Sequence, residues 1–297
     1  MAERQLFIGI IFACLSAILG GAGLVFTRLV LPQTDAFTLG FLRWFILALI
    51  LYIIYFKQLD FSNINRVDRQ RISVLGLIYF AGFPILLTYG LTFTTAGRAG
   101  LLFATMPIWT LIISSIFKIE AITSIKLLAI LLAMSGIFVA LGDNFDNTNF
   151  TLFLGDIFVT IGVICSSVFA SFSSSYIKKY GNIKVLLFAL ISGVFAMLIS
   201  SFVFGNPVNG SLEFDRTGWS YILILGIPCG AVMIYCWGKA LQHTTPTQAT
   251  LCMGFHPLTA MLLGFLMLEE QITLNFLIGF LLVFAGIFLV QMKPKIY

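Results

Sequence analysis

Residues 94–123 read TTAGRAGLLFATMPIWTLIISSIFKIEAIT, and residues 244–273 read TTPTQATLCMGFHPLTAMLLGFLMLEEQIT. Laid one on the other without a gap, they align Thr94-Thr95 with Thr244-Thr245, Pro107 with Pro257, Glu120 with Glu270 and Ile122-Thr123 with Ile272-Thr273. The offset is 150 residues (244 − 94), and it holds on either side. Leu75-Gly76 falls on Leu225-Gly226, and Gly136-Ile137-Phe138 on Gly286-Ile287-Phe288. From 75 to 141, 18 of 67 positions are identical to their mates. Apolar helices share Leu and Ile by chance, but Pro, Glu and Gly coinciding at one shift mark an internal repeat. The same shift pairs Ser16 with Ser166, Arg28 with Lys178 and Phe45 with Phe195.

What repeats is membrane-spanning helix. The chain is 60% hydrophobic and 10% charged, where a soluble domain carries about 25% charge. Runs of roughly 17–25 apolar residues suit a bilayer, and they predict ten spans, near 6–27, 36–56, 73–94, 98–117, 124–141, 155–177, 183–204, 218–240, 246–268 and 274–291. Leu6 to Phe26 is too long for a signal-peptide core and is read as the first span. The halves divide at 1–147 and 148–297, five spans each. Five is odd, so the second half crosses in the opposite sense. This is the inverted-repeat plan of secondary transporters, in which a midplane site opens to one side and then the other.

Direction follows from the basic residues. With the N-terminus in the cytoplasm, thirteen of the seventeen Lys and Arg fall inside, only Arg28, Arg98 and Arg216 outside, and Arg43 within a span. The positive-inside rule then puts both termini in the cytoplasm of a multi-pass inner (cell) membrane protein. The net charge of +5 forms no stripe that would track phosphates, so nucleic acid is not an expected partner. All five cysteines lie in apolar runs, which reads as filler rather than disulfides or a metal site.

The quoted residues also fit a known pattern. A basic residue closing the first helix, then Pro, then Arg-aromatic in the second appear as Arg28, Pro32 and Arg43-Trp44. Pro107, Glu120-Ala121-Ile122-Thr123 and Gly136 complete the first half. Lys178, Pro257, Glu270-Gln271-Ile272-Thr273, Gly279 and Gly286 repeat the pattern, with Gly193 in place of the Arg. The chain resembles the EamA branch of the drug/metabolite transporter superfamily. The resemblance implies a ten-helix basket around a central cavity, with helices five and ten peripheral, and the export of metabolites. No cofactor is expected. The partners are a small-molecule substrate and the bilayer, with helices five and ten as surfaces through which two copies could pair.

Arg43 is about 10 Å into its span at 1.5 Å per residue, where a charge is expensive and should face a cavity or a partner. It is read either as a contact for a substrate carboxylate or phosphate, or as a structural Arg bonded to helix-end carbonyls. His256 precedes Pro257, and a mid-span proline frees a carbonyl and kinks the helix, often beside a cavity. Helical spacing places Met106 and Trp109 on one face of span four, and Cys252, His256 and Thr259 on the mate face of span nine. Tyr79, Tyr89, Tyr235 and Trp237 could extend that surface. Arg98 and, on the inner side, Lys239 with His243 read as a mouth for anions or as interface anchors. Glu120 and Glu270 are expected to serve the helices that follow them, with Thr123 and Thr273 as caps.

No Asp or Glu lies mid-span, so ion coupling would fall to His256 or Asp156. An enzyme is not expected: there is no HExxH, no GxSxG and no Ser/His/Asp set, and His243 and His256 are the only histidines. A channel would show a filter loop or a ring of charges, and a scaffold would not need the repeat. Sparse charge with many aromatics points to an amino acid or an amino-acid derivative, with Arg43 near its carboxylate. S-adenosylmethionine or a nucleoside-like metabolite fits an aromatic cavity as well, whereas phosphorylated sugars would want more convergent Lys and Arg.

Overall fold

The computed structural model describes residues 2–58, 63–119, 123–141, 150–208, 212–270 and 273–291. Among them it holds helices and no strand. In chain order these are α1 (Ala2–Val30), α2 (Ala36–Tyr55), α3 (Arg66–Leu91), α4 (Ala96–Ile116) and α5 (Ser124–Leu141). The second half gives α6 (Phe150–Tyr180), α7 (Asn182–Phe204), α8 (Arg216–His243), α9 (Pro246–Leu268) and α10 (Leu274–Gln291). Helix is what a bilayer demands, because lipid offers backbone N–H and C=O groups no other partner. Eight helices, all but α5 and α10, are long and apolar enough to cross a membrane. The ten expected spans thus become eight plus two 18-residue helices. Those two pack mainly against each other, with Leu127, Leu131, Phe138, Leu274, Leu281 and Phe288 exposed. The expected boundary at 147 and 148, and Glu120, lie outside the described residues.

The repeat extends to details that hydropathy does not show. Asn65 and its mate Asp215 cap the N-termini of α3 and α8 through their side chains. Thr95 and its mate Thr245 do the same for α4 and α9. The helix interruptions are also mated. A π-helical turn breaks α3 at Ile78–Gly82 and α8 at Ile227–Val232. Short irregular turns break α4 at residues 104–105 and α9 at Cys252–Gly254. Such breaks leave carbonyls outside the regular ladder, which a membrane tolerates only where the backbone is buried in protein or lines a cavity.

The halves interlock rather than abut. First-half α1 packs on second-half α8 and α9, and in mirror fashion α6 packs on α3 and α4. Gly76 lets α3 approach the α7 backbone at Ala189, and its mate Gly226 lets α8 lie against Ile46 of α2. Polar ties cross between halves at the helix ends. Arg98 pairs with Asp156, which also accepts from Thr94 Oγ1 at 2.8 Å. Lys179 Nζ and Tyr180 Oη both donate to Asp68, at 2.8 and 2.6 Å.

Glu270 departs from its expected place. Rather than serving α10, it accepts from Ala96 N at 3.0 Å and Gly97 N at 3.1 Å, capping α4, and pairs with Arg28 at 3.3 Å. The N-terminus of α4 offers unsatisfied N–H groups and a positive dipole end, and that draws the carboxylate across. Thr273 does cap α10, accepting from Phe276 N at 3.1 Å.

Candidate substrate site

Fourteen residues enclose a cavity in the middle of the bundle. Ten of them are five repeat pairs: Ser16 with Ser166, Phe83 with Met233, Leu87 with Trp237, Phe103 with Met253, and Met106 with His256. Mates from both halves thus wall one cavity. Gly20, Leu24, Arg43 and Tyr79 complete the wall and come from the first half alone. The space left for the centres of water molecules is about 40 Å³, room for about three waters.

The breaks build the wall. Phe103 and Met106 straddle the interruption in α4, and of their mates Met253 lies within the interruption of α9 and His256 just beyond it. The His256 ring stacks on Phe103 with centroids 4.8 Å apart and planes 5° apart. Tyr79, in the π-helical turn of α3, stacks between Phe169 at 4.4 Å and Phe83 at 5.4 Å. Arg43 is buried on α2. Its Nη2 donates to the Cys229 carbonyl at 3.0 Å, in the π-helical turn of α8, and its Cζ lies 5.3 Å from the Trp44 ring centroid. Cys229 is the repeat mate of Tyr79, so the guanidinium is anchored on one break and lies beside the cavity walled by the other.

Four buried polar atoms of the wall have no hydrogen-bond partner: Arg43 Nε, Ser166 Oγ, Trp237 Nε1 and His256 Nδ1. Two are obligate donors, and the hydroxyl and the imidazole can each donate. Buried polar groups are normally paired, so this cluster matches a ligand that accepts hydrogen bonds. No carboxylate is among the wall residues. The remainder is aromatic, aliphatic or thioether surface.

Of the side chains singled out from sequence, Arg43, Tyr79, Met106, Trp237 and His256 line the cavity, and Trp109, Thr259 and Arg98 do not. Trp109 Nε1 donates to Thr105 Oγ1 at 3.1 Å. Thr259 Oγ1 donates to its own helix at Phe255 O, 3.1 Å, with Gly21 of α1 against it. Helical facing groups them only in an unbroken helix, and the wall ends within two residues of each break, at Met106 and His256. Arg98 is held by Asp156 instead. Tyr235 stacks on Tyr55 at 6.4 Å, also away from the cavity. The sequence reading missed Ser16, Gly20, Leu24, Phe83, Leu87, Phe103, Met233 and Met253; the 150-residue offset was the signal that could have linked the paired ones.

Comparison with known proteins bears on what such a bundle is. The EamA-like transporter family matches the chain twice, over residues 7–142 and 153–292. The chain belongs to the EamA-like transporter family. It is 27% identical over 248 residues to the uncharacterized transporter YoaV of Bacillus subtilis (strain 168), covering 84% of each. It is also 27% identical over 228 residues to the uncharacterized transporter YdfC of the same organism, covering 76% of this chain and 72% of the relative. A solved crystal structure superposes on 98% of this chain and 97% of its own with a TM-score of 0.75 at 16% identity, a likeness of fold. An EamA-like bundle with eight described helices long and apolar enough to cross a membrane is a multi-pass membrane transporter, and its two family matches carry the two rows of mates that wall the cavity.

Proposed function

We propose that this EamA-like protein is a secondary transporter that works by alternating access and exports an amino acid or an amino-acid derivative across the cell (inner) membrane. In this reading α5 and α10 also cross, giving ten spans with both termini in the cytoplasm. The observation that carries it is the cluster of unpartnered Arg43 Nε, Trp237 Nε1, Ser166 Oγ and His256 Nδ1 in an otherwise apolar cavity walled by both halves. Donors on Arg and indole nitrogen suit a carboxylate, whose oxygens accept only. Tyr79, Phe83, Phe103, Met106 and Met253 suit an apolar side chain. A site walled by both halves is exposed to either side by their relative movement.

The test is counterflow in liposomes. Vesicles loaded with unlabelled amino acids, or with their N-acyl or 2-oxo derivatives, are mixed with labelled substrate at trace concentration. Accumulation that falls at least tenfold in Trp237→Phe, while the variant melts within a few degrees of the parent, supports this cavity. Accumulation only with sugar phosphates or nucleotides overturns the substrate class. Accumulation unaffected by Trp237→Phe and Ser166→Ala overturns the site.

A further inference from the structure

Resting on that reading, the charge balance of the cavity goes further. Arg43 puts one fixed positive charge on the wall, and its neighbours answer with dipoles and an aromatic face: the Cys229 carbonyl and the Trp44 ring. Neither is a counter-ion. The described carboxylates buried in the bundle are committed at helix ends, Asp156 to Arg98, Glu270 to Arg28 and α4, and Asp68 to Lys179 and Tyr180, while Asp35 caps the N-terminus of α2. Low-dielectric surroundings make an uncompensated buried charge unfavourable and make its neutralisation correspondingly favourable.

We propose that the cavity selects its substrate by net charge: it takes a monoanion, an amino-acid-like carboxylate whose amino group is absent or acylated. Such a ligand brings one negative charge to one fixed positive charge, and the site becomes neutral. A zwitterion also delivers an ammonium, which finds no acid on the wall and leaves the loaded site positive. A net cation adds its charge to that of Arg43, and S-adenosylmethionine, with a sulfonium besides its ammonium, meets the same objection. The unpartnered donors agree with this choice. Arg43 Nε and Trp237 Nε1 can only donate, so they serve carboxylate oxygens and can do nothing for an ammonium. Ser166 and His256 can accept, but neither can carry a negative charge there, so neither replaces the missing anion. Trp237 and Ser166 thereby become specificity-determining residues alongside Arg43.

Three probes of similar shape isolate the charge: 3-phenylpropionate (an anion), phenylalanine (a zwitterion) and 2-phenylethylamine (a cation). Each is titrated by thermal shift against the purified full chain at neutral pH, since a ligand stabilises the state it binds. 3-Phenylpropionate is expected to act at concentrations at least tenfold below phenylalanine, with phenylethylamine inactive. Arg43→Gln should bring 3-phenylpropionate and phenylalanine within twofold of each other, and Arg43→Lys should keep their order. Ser166→Asp, which supplies the absent acid, should reverse the order in favour of phenylalanine. Phenylalanine binding as tightly as 3-phenylpropionate, or a preference that survives in Arg43→Gln, overturns the charge rule while leaving the cavity in place as the site. No shift by any probe, together with counterflow indifferent to Trp237→Phe, overturns the rule and the site reading at once.

Discussion

Gly20 is glycine because the His256 ring occupies the space a side chain would fill. A methyl on its Cα would come within 2.6 Å of Cε1. The ring is stacked on Phe103, so it cannot retreat without losing that contact. Overpacking of this kind costs about 1–3 kcal/mol. Gly20→Ala is expected to lower the melting temperature and to abolish ligand-induced stabilisation. Adding His256→Ala should restore most of the lost stability, because the clash goes with the ring; thermal unfolding of the single and double variants decides it. Arg43 and His256 were legible in the sequence because polar groups in an apolar run stand out. Phe83, Leu87, Phe103 and Met253 were not, because lipid, core and cavity all accept the same apolar side chains. What distinguishes them is position around a cavity built from both halves, and no local pattern encodes that.

At the scale of elements, hydropathy and turn chemistry located the helices and Pro257 marked the break in α9, while the π-helical turns of α3 and α8 escaped. Ile78-Tyr79-Phe80-Ala81-Gly82 reads as one more apolar stretch, although its mate break contains Pro228. Trp109 and Thr259 were placed on the cavity by helical facing: the rule was sound for a regular helix, and α4 and α9 are not regular where it was applied. Glu270 escaped for a different reason. The amide of Ala96 that it caps lies 174 residues away in sequence, and nothing near Glu270 names it. That cap carries its own expectation. Glu270→Ala removes the acceptor for two N–H groups and the partner of Arg28, a loss of about 1–2 kcal/mol by analogy with other N-cap deletions. Glu270→Gln, which still accepts one such bond, should fall between. Hydrogen exchange at Ala96 and Gly97, faster in Glu270→Ala than in Glu270→Gln, is the measurement that checks it.

For the molecule as a whole, the repeat and the distribution of Lys and Arg carry the argument. Thirteen basic residues assigned to one side against three on the other is a large bias, and the proposed orientation, with both termini in the cytoplasm, rests on it. A C-terminal fluorescent-protein fusion is expected to fluoresce, and a C-terminal alkaline phosphatase fusion to be inactive; the reverse pair would turn the molecule over. The proposed inversion of the halves rests on the same count, since an added or missing span would scramble it.

In the proposed transport cycle, Arg43 also couples movement of the cavity to the membrane potential. A charge moved across the full membrane field gains or loses about 2.3 kcal/mol per 100 mV. Occupied by a monoanion, the cavity switches sides as a neutral body and the potential has no hold on it. Vacant, it carries the charge of Arg43, and an inside-negative potential draws its opening toward the cytoplasm, where an exporter loads. Net efflux from vesicles clamped inside-negative with valinomycin should therefore quicken, while one-for-one exchange runs at a rate indifferent to voltage.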